Sequence, residues 1–171
     1  MKKFLSAARS IQDGILYLFI GPFTVLFIIP QFLMEMEKRM EIMPFHIPAG
    51  DIVGRYMTWL GAALAIYCTL LMKIQGKGTP LVKEPPKKIM DKNIYGLVRN
   101  PMMWALIIVL FGEIIWFGSY ALIIWLFAWL RIGYLIIIDY EEPQLERRFG
   151  QDWIDYASRV PRWIPRFNSK S

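Results

Sequence analysis

The chain has 171 residues, 56% of them apolar and 20% charged, with a mean hydropathy of +0.36. That is more apolar surface than a water-facing monomer of this size can hide, and the length bounds it to one domain, residues 1–171, for which lipid is much of the solvent. The lone Cys68 excludes a disulfide-stapled module, the lone His46 excludes metal or triad chemistry built on several histidines, and the net charge of +6 comes from basic residues at the ends of apolar runs rather than from a nucleic-acid surface.

Crossing a hydrocarbon core takes roughly 20 residues at 1.5 Å each. Residues 14–33 form the first candidate span, uncharged but containing Pro22 and Pro30, each of which must bend the helix and leave carbonyls for neighbouring side chains to satisfy. Lys2 and Lys3 precede it as in a signal peptide, but its length and the lack of a small-x-small cleavage site predict a retained span. Residues 34–51, with Glu35, Glu37, Glu41 and Asp51, read as an interfacial connector. The second span, 52–72, has Arg55 near its start and a run of small residues, Gly61, Ala62, Ala63 and Ala65, suited to close helix contact. These two spans make up an N-terminal half, 1–75.

The second half, 76–171, begins with a turn-rich loop interrupted by Gly76, Gly78, Pro80, Pro85 and Pro86. A third span begins just after Pro101 and ends at Phe117, and a fourth covers 120–138, with Gly118 and Ser119 as the turn of a helical hairpin. Leu145, Phe149, Trp153 and Tyr156 then recur at helical spacing, predicting an amphipathic helix over 141–158 that lies in the interface or packs over the mouth of the bundle. Pro161 and Pro165 end it, and Trp163 stands where an interfacial anchor would. The fold class is therefore an all-α membrane bundle of about four transmembrane helices with a helical hairpin and a cytoplasmic amphipathic C-terminal helix. Lys and Arg number 3 before the first span, 2 in the first loop, 7 over 73–99, none in the hairpin turn and 6 after the fourth span. The positive-inside rule then puts both termini and the central loop in the cytoplasm.

Ionisable groups at membrane depth need a reason, since each costs on the order of 2.5–3.5 kcal/mol on insertion scales. Glu113 is protonated, hydrogen-bonded to a neighbouring helix, or part of a site. Arg131, too far from Glu113 for a direct pair, either snorkels to the cytoplasmic interface or meets an anionic ligand group. The hairpin also brings Arg99, Asn100 and Pro101, which open the third span, beside Asp139, Tyr140, Glu141 and Glu142, which close the fourth. A helix start favours an anion and paired glutamates a cation, so a zwitterion or sulfonium ligand would use both. An ordinary salt-bridge cluster at a membrane edge would look the same.

Five separated stretches carry a resemblance: Gly76-Lys77-Gly78-Thr79-Pro80; Tyr95 to Pro101, ending in Val98-Arg99-Asn100-Pro101-Met102; Tyr140-Glu141-Glu142-Pro143 to Leu145; Arg148-Phe149-Gly150; and Val160-Pro161-Arg162-Trp163-Ile164-Pro165. Together they resemble bacterial members of the isoprenylcysteine carboxyl methyltransferase family. The resemblance implies an integral protein of the bacterial inner membrane that takes S-adenosylmethionine from the cytoplasm. Its acceptor would reach it through the bilayer: a prenyl-cysteine carboxylate, a phospholipid amine or a small lipophilic molecule. It also implies a cofactor shell of Tyr95, Arg99, Asn100, Pro101, Glu141 and Glu142, with Arg99, Asn100 and Glu142 as the catalytic set. Methyl transfer from a sulfonium is an in-line displacement that rests on positioning and exclusion of water more than on acid–base help. The faces of Tyr95, Tyr134 or Trp153 would each stabilise the cationic centre by roughly 0.5–2 kcal/mol. Relatives often carry histidine in place of Asn100, tyrosine in place of Met103 and Gly-Pro in place of Asn93-Ile94; the Met103 change bears on substrate handling. Two other classes stand beside this reading: a membrane reductase with a nicotinamide cofactor, and a non-catalytic scaffold or lipid-binding protein.

Overall fold

The computed structural model describes residues 19–76 and 87–165, with side chains from residue 21 onward. The start of the first candidate span and most of the Gly76 to Pro80 stretch lie outside these residues. Everything regular within them is helical: a π-helical stretch Phe19–Ile28 leading into α1 (Ile29–Arg39), α2 (Gly50–Ile74), a single turn α3 (Ile94–Leu97), α4 (Pro101–Phe117), α5 (Tyr120–Leu135), a π-helical stretch Ile136–Glu141, α6 (Glu142–Phe149) and α7 (Gln151–Arg159). Two of these helical runs, Gly50–Ile74 and Tyr120–Phe149, are long and apolar enough to cross a membrane, and the apolar α4 has 17 residues.

The tightest packing joins α2 to α4, which run antiparallel. A Cβ at Gly54 would stand 2.5 Å from the Trp116 nitrogen and 2.6 Å from the Gly112 oxygen, and one at Gly61 would be 2.8 Å from the Ala105 oxygen. Small residues let the two backbones touch, which is how helices gain packing where lipid supplies no hydrophobic drive between them. The opposite side of α2, with Tyr56, Trp59, Ile66 and Leu70, is exposed. A second cluster joins the first helix to the hairpin: Val25, Leu110, Ile114, Leu122 and Leu126, flanked by Leu33, Phe45, Trp125 and Trp129.

The prolines behave as the chemistry requires. Pro22 lies within the first π-helical stretch, which runs up to Pro30; the second π-helical stretch runs up to Pro143. Pro30 has no N–H to donate to the Val25 carbonyl five residues back, its partner in the π register, and the Trp125 indole N–H donates to that carbonyl instead, at 3.1 Å.

The hairpin turn is where the sequence placed it. Gly118 takes the left-handed conformation that closes α4, with φ +63°. The Phe45 N–H donates to its carbonyl at 2.9 Å. Met103 of α4 lies directly against Gly133 of α5, where a Cβ would overlap the methionine methyl, and this contact sets the hairpin register.

Three boundaries differ from the sequence reading. The first helix does not stop at Leu33 but runs to Arg39, so the connector shortens to 40–49. Its acidic residues are also more than a connector, because Glu37 accepts hydrogen bonds from the Ser119 hydroxyl and, at 2.8 Å, from the Ala121 N–H, capping α5 from a neighbouring helix. The fourth span does not end at Ile138: helix continues through Asp139–Glu142 to Phe149, since the π turns carry the chain past Pro143 without an end. The tail is not one helix over 141–158 either. Gly150, with φ +55° and ψ −126°, divides it into α6 and α7. The apolar face of α7, Trp153, Tyr156 and Val160, is buried with Ile89, Leu145 and Phe149, so the tail packs over the mouth of the bundle.

Candidate functional site

At the end of the bundle that carries Pro101, three chain segments meet. Pro101 is buried at the first turn of α4, where its missing N–H costs nothing. Just before it, the Arg99 N–H donates to the Pro161 carbonyl at 2.9 Å, and the Asn100 amide donates to the Arg162 carbonyl at 3.3 Å. The tail after α7 is thus bound across the start of α4. One residue further on, the Trp104 indole N–H donates to the Trp163 carbonyl at 2.8 Å.

The side chains close the arrangement. Glu142 Oε1 accepts from Arg99 Nη1 at 2.9 Å and from Arg162 Nε at 2.8 Å, while Oε2 accepts from Arg162 Nη2 at 2.6 Å. The Arg162 contact is a two-pronged guanidinium–carboxylate pair, the strongest form of this interaction. The hydrogen bond it donates to Glu142 holds the Arg162 guanidinium above its usual range, against the opposing effect of partial burial. Only 12% of the Arg99 side chain and 16% of the Glu142 side chain are exposed, so the pair is largely out of water. Arg99 also lies over the Trp153 ring, 5.9 Å from its centroid.

These residues wall a cleft of about 400 Å³ with a mixed lining: Arg99, Glu142, Glu146 and Arg162 are polar, and Ile138, Pro143, Trp153, Ile154 and Ala157 are apolar. A neighbouring hollow of about 540 Å³ shares Pro143, Glu146 and Ile154 and continues towards Gly150. Two arginines share one carboxylate, leaving a positive remainder. Arg99 Nε is buried and has no hydrogen-bond partner among the described residues, and a buried donor in that state favours a ligand able to accept from it.

The predicted shell divides in two. Arg99 and Glu142 line the cleft, and Asn100 and Pro101 stand next to Arg99 at the start of α4 without lining it, Asn100 bound to the Arg162 carbonyl. Tyr95 and Glu141 do not line it: the Tyr95 ring packs with Cys68, Leu71 and Met90, and Glu141, one residue from Glu142, projects from a different side of the helix. Tyr95 is joined to the tail through its carbonyl, which accepts from the Tyr156 hydroxyl at 2.8 Å. Its own hydroxyl is buried without a partner among the described residues. Burial above all, then the nearby Cys68, Tyr156 and Glu141, push that hydroxyl up and keep it a neutral donor. Burial likewise pushes up the Tyr156 hydroxyl.

Sequence reasoning missed the part Arg162 plays, although the Val160 to Pro165 stretch contained the signal: an arginine between two prolines in a tail that the buried face of α7 returns to the mouth. Replacing Arg162 with lysine keeps the charge but loses the two-pronged grip. The expected result is a loss of about 1 kcal/mol in ligand affinity, roughly fivefold in Kd by titration, with the helical content unchanged.

A helical membrane bundle with a ligand-sized cleft under a strapped tail at one mouth is the class that fold and site define. Residues 50–152 match the phospholipid methyltransferase family, and the chain belongs to it. This family is the one that includes the isoprenylcysteine carboxyl methyltransferase-like proteins, so the resemblance seen in the sequence holds at family level, and membership implies a membrane methyltransferase. No curated protein matches the chain.

Proposed function

We propose that this protein transfers a methyl group from S-adenosylmethionine to a lipophilic acceptor that arrives through the bilayer, with the cleft, both termini and the central loop on the cytoplasmic side. The observation that carries the reading is the Arg99–Glu142–Arg162 cluster, with an Arg99 Nε that has no partner among the described residues, set at the wall of a cleft of mixed lining. These residues fit the donor. The positive remainder and that Nε suit its carboxylate, the Glu146 carboxylate suits its ammonium, and Trp153, Ile154 and Pro143 offer apolar faces for its adenosyl group. The volume of about 400 Å³ lies within the range of small-molecule sites.

When bound, the donor supplies an electrophilic methyl on a sulfonium. The protein's own part is placement. Glu142 fixes the direction of the Arg99 guanidinium, and Arg162 fixes Glu142, so the anion-binding edge is rigid before a ligand arrives. Asn100, through Arg162's carbonyl, holds the tail over the mouth and keeps water from the reacting atoms. The Trp153 ring lies under the Arg99 guanidinium and helps to hold that cation in place. The acceptor belongs among prenyl-cysteine carboxylates, phospholipid amines and small lipophilic molecules; a carboxylate brings its own lone pair, and an amine does so once its ammonium proton has passed to water, so neither requires a histidine base.

The test is methyl transfer itself. Purified protein is incubated with methyl-labelled S-adenosylmethionine and an extract of bacterial lipids, followed by organic extraction. Label in a lipid-soluble product, absent with Glu142→Ala, supports the reading. Label remaining wholly with the donor across prenyl-cysteine, phospholipid and small lipophilic acceptors sinks it.

A further inference from the structure

Arg131 is a cation for which methyl transfer has no use. It lies on α5 and is exposed. The Met103–Gly133 contact fixes the hairpin register, so Pro101, at the mouth, lies level with Leu135. Arg131 is four residues deeper, about 6 Å along the helix, within the reach of a snorkelling arginine. Its guanidinium carbon lies 5.9 Å from the centroid of the Tyr134 ring. Tyr134 in turn stacks on Trp163, with centroids 6.4 Å apart and planes 18° apart. Trp104 donates to the Trp163 carbonyl, so Tyr134 lies beside the cation and Trp163, held by Trp104, backs it at the depth where membrane proteins carry their aromatic belts.

Among the described residues no carboxylate lies within ion-pair distance of Arg131. Arg99 and Arg162 have Glu142, Arg55 has Asp51 and Arg39 has Glu35. A lipid-facing arginine below the mouth needs an anion, and the anion that the neighbouring leaflet holds at that level is a phosphate. A guanidinium fork matches two phosphate oxygens, and flat rings give the glycerol and upper acyl carbons a wall to lie on. We propose that Arg131, with Tyr134 and Trp163, holds the phosphate of a phospholipid drawn from the leaflet next to the cleft. The shelf adjoins the site through consecutive residues, Arg162 binding Glu142 and Trp163 stacking on Tyr134, so a lipid held there stands beside the mouth. The inference needs the membrane setting but not the identity of the methyl donor.

The full chain in detergent is stripped of lipid and titrated with phosphatidylglycerol, or with diacylglycerol of the same acyl chains, which has no phosphate, and bound lipid is read by native mass spectrometry. The wild-type protein is expected to retain phosphatidylglycerol in preference to diacylglycerol. Arg131→Gln should weaken that binding about tenfold or more, the loss of a charge-assisted bond, with a smaller loss for Tyr134→Leu and none for Arg55→Gln at the other end of the bundle. Equal retention by Arg131→Gln, equal retention of diacylglycerol, or displacement by millimolar inorganic phosphate would each overturn the proposal. S-adenosylmethionine binding by the same Arg131→Gln protein is measured in parallel and should be unchanged. A donor that fails to bind anywhere would count against the proposed function and leave the lipid result standing.

Discussion

Replacing Glu142 with alanine is expected to abolish methyl transfer and to loosen the tail from the mouth of the bundle. Among the described residues Glu142 alone joins the start of α4 to the tail by side-chain charge, through Arg99 at 2.9 Å and Arg162 at 2.6 Å. Removing one partner of a largely buried ion pair leaves the other charge uncompensated, at about 3–5 kcal/mol where burial is complete. Here Arg162, with 32% of its side chain exposed, can turn to water, whereas Arg99, at 12%, cannot. The cost should therefore sit at the lower end, about 3 kcal/mol, or on the order of a hundredfold in donor affinity if the cleft carries it all. Glu142→Gln keeps the acceptor oxygen and the shape and should fall between the two. The tail's release is readable separately as faster hydrogen exchange at the Arg99 N–H, which donates to Pro161.

The second large effect is structural. Gly54→Leu puts a Cβ 2.5 Å from the Trp116 nitrogen and 2.6 Å from the Gly112 oxygen, both backbone atoms that cannot move without the helix. The α2–α4 pair must separate, at a cost of at least about 3 kcal/mol, the upper part of the overpacking range. Thermal unfolding in detergent should show a drop of several degrees or a failure to fold. Ala63→Leu, at an exposed position of the same helix, should leave the transition where it is. A normal transition for Gly54→Leu would mean that the two helices do not meet as described.

How far such features can be read from sequence depends on the range over which their causes act. The hairpin was legible because Gly118 and Ser119 interrupt one long apolar run, and a left-handed glycine ends a helix by purely local geometry. Arg99, Asn100 and Glu142 followed, since a hairpin of known turn brings its two ends together. The capping role of Glu37 was not legible, for its partners Ser119 and Ala121 are more than eighty positions away and no local pattern joins them. The helix running on through Asp139–Glu142 was hidden by its own charges, which look like a membrane boundary until Arg99 and Arg162 are seen to meet Glu142. The break at Gly150 is different: a lone glycine inside a helical pattern was a signal, and the periodicity of Leu145, Phe149, Trp153 and Tyr156 outweighed it wrongly. The division of Tyr95 and Glu141 from the rest of the shell depends on side-chain direction, which family resemblance does not carry.

The central claim is that the Arg99–Glu142–Arg162 cleft binds the methyl donor. Calorimetric titration of S-adenosylmethionine and of its demethylated product into the detergent-purified protein tests it most directly, with Asn100→Ala and Glu142→Ala beside the wild type and a nicotinamide cofactor as control. Saturable binding of both sulfur ligands, weakened in both variants, with none for the nicotinamide, is the predicted result. No binding at millimolar donor by a protein shown to be folded, or binding that both variants leave unchanged, would contradict it.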